Sequence, residues 1–96
     1  MKLESIKPST KTDKKLMATF TTDTGRTKTT HFGARGMDDF TLTHDKEQRE
    51  RYRTRHKKDL NTNDPTKAGF LSWNILWGES TSRATNIAAY KKKFNL

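Results

Sequence analysis

At 96 residues the chain is long enough for one domain. Only 29% of its residues are hydrophobic, so any core must be thin, and with no cysteine it has no disulfide, thiol nucleophile or Cys-ligated zinc. A net charge of +9 points to phosphate, anionic lipid or acidic protein as the partner class, and no apolar run reaches the ~20 residues of a membrane-spanning helix.

Residues 1–13 hold Lys, Ser, Thr and Pro around only Leu3 and Ile6 as large apolar groups. They read as an extended basic arm, with 14–96 as a single α+β domain. The opening Met1-Lys2-Leu3-Glu4-Ser5 is followed by no apolar segment, so it does not read as a secretory signal. Between Lys15 and Thr22, Leu16, Ala18 and Phe20 alternate with Met17, Thr19 and Thr21, the period of a half-buried strand. Asp23-Thr24-Gly25-Arg26 supplies a turn, and Thr27 to Phe32 the return strand, giving a β-hairpin over about 15–32. Gly33 to Phe40 reads as a connector. It lacks the full glycine and lysine pattern of a phosphate-binding loop, and GxGxxG is absent.

A first helix is expected over 46–58, capped by Asp45, with Gln48 completing a capping box. A second is expected over 65–77, with Asp64 as cap, Pro65 at the first position and Gly78 closing the end. Phe70, Trp73 and Trp77 recur in it at i, i+3, i+7, the spacing of one buried face. Ser80 is expected to cap a third helix over 81–93, where Ile87, Tyr90 and Phe94 repeat that spacing. The expected core is Leu16, Phe20, Phe32, Phe40, Phe70, Leu71, Trp73, Leu76, Trp77, Ile87, Tyr90 and Phe94.

The charge is concentrated. Residues 1–15 carry +3, 46–58 carry +5 and 91–96 carry +3, which together exceed the net total because the rest is slightly acidic. Arg49, Arg51, Arg53 and Arg55 alternate along the first helix, followed by Lys57 and Lys58. Steps of two wrap a helix and make no single stripe. Arg51 and Arg55 share one face, and Arg49 and Arg53 another. Glu47 and Glu50 are expected to pair with Arg51 and Arg53, and Tyr52 and His56 to stack on the inward side. The guanidinium fork suits carboxylate and phosphate. The expected partner-binding residues are therefore Arg49, Arg51, Arg53, Arg55, Lys57 and Lys58, with Lys91, Lys92 and Lys93 at the far end.

Base-stacking readers interleave several aromatics with their basic residues, whereas here Tyr52 stands alone in the basic segment. His31, His44 and His56 lie thirteen and twelve residues apart, which matches no helical metal motif. No Ser/His/Asp order, HExxH or carboxylate pair marks a catalytic centre. No catalytic residue, cofactor, metal site or small-molecule substrate is expected, and His31, His56, Asp38 and Asp39 have no reason to meet.

Four motifs together carry a resemblance. They are Thr30-His31-Phe32-Gly33, Arg49-x-x-Tyr52-x-x-Arg55-His56, Asp64-Pro65…Ala68-Gly69-Phe70-Leu71-Ser72-Trp73…Leu76-Trp77-Gly78 and Tyr90-Lys91-Lys92-Lys93-Phe94. Over residues 14–96 the chain resembles a small basic family of unknown function encoded by large double-stranded DNA viruses of algae and protists, of phycodnavirus and mimivirus type. The resemblance implies a virion component and brings no catalytic residues. Joined to the thin core and basic surfaces, it leads to an expected non-enzymatic minor capsid or cement protein. Such a protein would bridge larger capsid subunits through their acidic surfaces, within the virion and, during assembly, the host cytoplasm or nucleus. Contact with an inner viral membrane or nucleic acid is compatible with the same charge. The alternatives are a non-specific nucleic-acid-binding protein of the virion or infected cell and, third, a small metal-dependent nuclease.

Overall fold

The computed structural model describes all 96 residues, Met1 to Leu96. Three antiparallel strands form one sheet in the order β1-β2-β3, with β1 Lys2–Pro8, β2 Lys14–Thr21 and β3 Thr27–Ala34. Helices then cover one face: α1 Phe40–Thr43, α2 Lys46–Arg55, a 3-10 segment Lys57–Thr62, α3 Ala68–Leu71 continuing into a π turn Ser72–Leu76, and α4 Arg83–Lys93. The α+β expectation and the central hairpin hold.

The segment read as an arm is the edge strand β1. Leu3 lies opposite Phe20, Ile6 opposite Ala18 and Pro8 opposite Leu16. Leu3 and Ile6 are three residues apart, and a regular strand would send them to opposite faces. A register shift between Leu3 and Ser5 inserts the extra residue and returns both to the core side. Pro8 is tolerated at the end of an edge strand, where its missing N–H costs no ladder bond.

The β2–β3 turn closes through Thr22 N–H to Arg26 O at 2.8 Å and Gly25 N–H to Thr22 O at 2.9 Å, with Gly25 at φ +84°. At the other end of β3, Gly33 takes φ +79°, and a Cβ there would stand 2.6 Å from Leu76 Cδ1. Glycine at this position lets the sheet approach the π turn.

The core joins Leu3, Leu16, Ala18, Phe20 and Phe32 of the sheet to Phe40, Phe70, Leu71, Ile75, Leu76, Trp77 and Tyr90. Of the expected members, Ile87 and Phe94 are half-buried at its edge and Trp73 is also half-buried. Leu3, Ala18 and Ile75 are buried without having been expected.

The helix ends depart from expectation in instructive ways. Asp45 caps α2, accepting from Glu47 N–H at 3.0 Å and Gln48 N–H at 3.1 Å. The capping box is not completed, because Gln48 Oε1 accepts from Thr43 Oγ1 at 2.8 Å instead. Asp64 caps no helix. Its carboxylate folds onto Thr66, at 2.9 Å from N–H and 2.7 Å from Oγ1. Thr66 in turn accepts from Lys28 Nζ at 2.8 Å and Thr30 Oγ1 at 2.6 Å, and Tyr90 donates its hydroxyl hydrogen to Pro65 O. Residues 64–66 are thus tied to β3 and α4, and the helix starts only at Ala68.

Phe70, Trp73 and Trp77 do not share one face. Phe70 packs edge-on against Tyr90 of α4 and Phe94 just beyond its end, while Trp73 and Trp77 meet α2. The cause is the wide turn, closed by Trp77 N–H to Ser72 O at 3.0 Å, which departs from the α-helical phase. Gly78 is not a left-handed C-cap. It is buried so closely that a Cβ would strike Asn74 O and approach Asn86 Cγ to 2.8 Å. The buried Asn86 holds this corner, donating to Ile75 O at 2.9 Å and Ser80 O at 2.8 Å. Ser82, not Ser80, caps α4, accepting from Thr85 N–H at 3.2 Å.

Candidate functional site

Helix α2 divides the basic cluster into two halves. Arg49 and Arg53 turn inward, with side chains 13% and 17% exposed. The Arg49 guanidinium lies 4.7 Å from the Phe40 ring centre and that of Arg53 lies 3.9 Å from Trp73's, within cation–π range. Glu79 faces both, at 2.8 Å from Arg53 and 3.8 Å from Arg49. The arginine hydrogen bond and charge hold the Glu79 carboxyl below its ordinary pKa. Trp73 Nε1 donates to Arg53 O at 3.3 Å, which fixes the indole beneath the guanidinium.

The expected pairs Glu47–Arg51 and Glu50–Arg53 do not form. Glu50 pairs with its neighbour Arg49 at 3.1 Å, because Arg53 is drawn to the nonlocal Glu79. Arg51, Arg55, Lys57 and Lys58 are left exposed, and none has a carboxylate within ion-pair distance. Of the six expected partner-binding residues on this segment, two are internal supports and four are free. Lys91, Lys92 and Lys93 form the last turn of α4, where their charge complements the carbonyl end of the helix.

Arg51 and Arg55 border an open cleft of about 680 Å³. Lys14, Gly33, Gly36 and Asp38 line its sheet-side wall, and Tyr52, His56 and Asp59 line the helical side. An aromatic column underlies the helical wall. Trp77 stacks on Tyr52 at 4.3 Å and 8°, and Tyr52 stacks on His56 at 4.3 Å and 25°. The Tyr52–His56 stack was expected, whereas the Trp77 end was not. Burial first, then the nearby Asp59 charge, push the Tyr52 hydroxyl up to about 12. Asp59 Oδ2 sits 3.3 Å from His56 Nδ1, and Asp59 itself is packed so tightly on Gly69 that a Cβ there would come within 2.9 Å.

At the cleft's inner end lies the buried Asp39, 1% exposed. Lys15 Nζ donates to its Oδ2 at 2.5 Å and Arg83 at 3.3 Å, while Thr41 N–H and Oγ1 donate to Oδ1. Burial alone would raise this carboxyl's pKa. Lys15 and Thr41, with Arg83, reverse that and hold it below the ordinary value. This places Asp39 as the N-cap of α1 and as the tie between sheet, loop and α4.

His56, Asp38 and Asp39 all border this cleft, but from different walls of it. His31 lies elsewhere, its Nδ1 2.7 Å from Ser9 Oγ, and His44 ends α1 in a left-handed conformation at φ 58°. No three His, Asp or Glu side chains converge at metal-ligand spacing. The pairing of Arg51 with Arg55 and of Tyr52 with His56 was legible from their i, i+4 spacing. Lys14, the 33–38 stretch at the end of β3 and Trp77 join them only through folding, and no local signal marks them.

No curated protein and no solved structure matches the chain. One family model does match, over residues 4–56, which takes in most of β1, the rest of the sheet, the 35–39 loop, α1 and α2. The matched region thus includes most of the strand first read as an arm and the arginine-bearing wall of the cleft. With more than half of its length inside that match, the chain belongs to DUF5754, a family of unknown function.

Proposed function

We propose that this protein is a non-enzymatic structural component of a virion, a minor capsid or cement protein that docks on acidic surfaces of larger subunits. The observation that carries the reading is the division of charge on α2. The chain's own Glu50 and Glu79 pair with Arg49 and Arg53, while Arg51, Arg55, Lys57 and Lys58 remain exposed without a carboxylate. A solvated helix with internal pairing would have used its two glutamates on those residues. A surface made to meet external anions leaves them free. The viral setting rests on the motif resemblance, and the thin core is consistent with a domain that gains stability from neighbours.

The test is incorporation into particles. Purified virions stripped of membrane and genome should retain the protein, and reversing Arg51, Arg55, Lys57 and Lys58 to Glu together should abolish incorporation while leaving the circular dichroism spectrum unchanged. Retention of the reversed variant would overturn the docking role. The same four cations favour a second reading, phosphate-backbone binding. If all four met duplex DNA, log affinity would fall against log salt with a slope of roughly −3 to −4. Tight duplex binding with that slope near 0.15 M salt, where the screening length is about 8 Å, would put nucleic acid ahead of capsid protein.

A further inference from the structure

We propose that the cleft between the sheet end and α2 is a binding site for a nucleoside diphosphate. This goes beyond the docking role: the site shares Arg51 and Arg55 with that surface and adds Lys14 and His56, which docking does not use. The cleft's volume of about 680 Å³ lies inside the roughly 300–1,000 Å³ range of small-ligand sites. Its walls combine two kinds of recognition on one helix. Arg51 and Arg55, one turn apart, present two uncommitted guanidinium groups to the same space, with β-carbons about 5–6 Å apart, a separation suited to adjacent phosphates. Lys14 faces them from the sheet side. His56, next to Arg55, ends the column of stacked rings and has 36% of its side chain exposed where it borders the cleft. A purine on that imidazole would extend the stack by one ring, a contact that every base can make.

The acidic groups of the cleft do not cancel this field. Asp39 is committed to Lys15 and Arg83. Asp38 and Asp59 are the carboxylates left without a cationic partner, against the three cations Lys14, Arg51 and Arg55. Gly36 and Asp38 of the 35–39 loop line the same cleft. Gly36 sits there at φ +85° with nothing within 4 Å of a built Cβ, so backbone and ligand can approach there unhindered.

The proposal is tested by titrating the purified full chain with ADP, inorganic pyrophosphate and adenosine near 0.15 M salt, which suppresses long-range attraction (screening length about 8 Å). Binding is followed by calorimetry and by the His56 ring protons in NMR. ADP is expected to bind about tenfold tighter than pyrophosphate or adenosine, since charge-assisted contacts and ring stacking each contribute. Arg51→Gln and Arg55→Gln should each weaken ADP about tenfold, the loss of one charge-assisted contact. His56→Ala should weaken ADP and leave pyrophosphate unchanged, and His56→Phe should restore ADP by keeping the stacking face. A Lys91→Gln, Lys92→Gln, Lys93→Gln triple variant should bind as the parent does. Pyrophosphate binding as tightly as ADP, an equal loss in the triple-lysine variant, or no ADP binding at millimolar concentration would overturn the proposal. None of these results depends on whether the protein enters a particle, so the two readings fail separately.

Discussion

Asp39 is the residue on which most of the polar interior turns. Its buried carboxylate joins Lys15 of β2, Thr41 of α1 and Arg83 of α4. Asp39→Asn removes the charge and leaves Lys15, itself 12% exposed, facing Arg83 without a counter-ion. Breaking a buried pair in this way costs about 3–5 kcal/mol, a large share of a small domain's stability, and urea denaturation should show it. The pH dependence has a definite sign. The folded Asp39 carboxyl titrates below its ordinary value, as do Asp64 and Glu79. Groups depressed by folding contribute stability that is fully present above their unfolded pKa and is lost as pH falls through the folded one. The melting temperature should therefore be flat above about pH 5 and drop below about pH 4, with a shallower acid limb in Asp39→Asn.

Two glycines give a paired test at the same scale. Gly25 and Gly33 both have positive φ, but a Cβ at Gly25 meets nothing within 4 Å, while one at Gly33 lands 2.6 Å from Leu76 Cδ1. Gly25→Ala should cost about 1–2 kcal/mol from backbone strain alone. Gly33→Ala should cost that plus about 1–3 kcal/mol of overpacking. Equal losses in thermal denaturation would mean that the sheet and π turn do not meet as closely as described.

At the scale of elements, β1 and the π turn are the two features on which the fold depends and which periodicity missed. Deleting residues 1–8 would leave a mobile arm's host intact but should unfold this domain, since it strips Leu3 and Ile6 from the core and exposes the β2 edge. Loss of the cooperative thermal transition in the truncated chain is the expected result. The π turn carries Trp77 into the column with Tyr52 and His56. Trp77→Ala should cost about 3–5 kcal/mol and should also free Tyr52, whose phenol pKa, pushed up to about 12 by burial and by Asp59, should move back toward 10. Absorbance titration of the tyrosinate reads this shift in any variant that still folds.

At the scale of the whole molecule the charge pattern is an outcome of folding as much as of composition. Glu79, outside the basic segment and itself exposed, faces both Arg49 and Arg53. Glu79→Gln should leave Arg53 held by Trp73 but without a carboxylate, while Arg49 keeps Phe40 and Glu50. Surface ion pairs contribute only about 0–1 kcal/mol, so the stability loss should be small. Net charge rises by one, and any affinity for polyanions should increase at low salt. A large stability loss with unchanged polyanion binding would show that Glu79 serves the core and not the surface field.

The α+β class, the β2–β3 hairpin, the presence of three helical regions, the Asp45 cap and the stacking of Tyr52 on His56 were all written locally. Alternation, turn residues and i, i+4 spacing act over a few residues and need no partner. Strand β1 escaped because its bulge breaks the period of two, so its apolar residues look unpaired until β2 supplies the register. The late start of the second helix was decided by Thr66, which is held to β3 by Lys28 and Thr30 and draws Asp64 away from capping. Which arginines are free is likewise a tertiary result. Glu47 and Glu50 were the nearest partners in sequence, but Glu79 arrives from the π-turn corner with better geometry for Arg53. The cleft assembles Lys14, Asp38, Arg51 and His56 from three separate stretches of chain. No pattern within one stretch encodes that meeting, because it depends on Gly33 letting the sheet close onto Leu76.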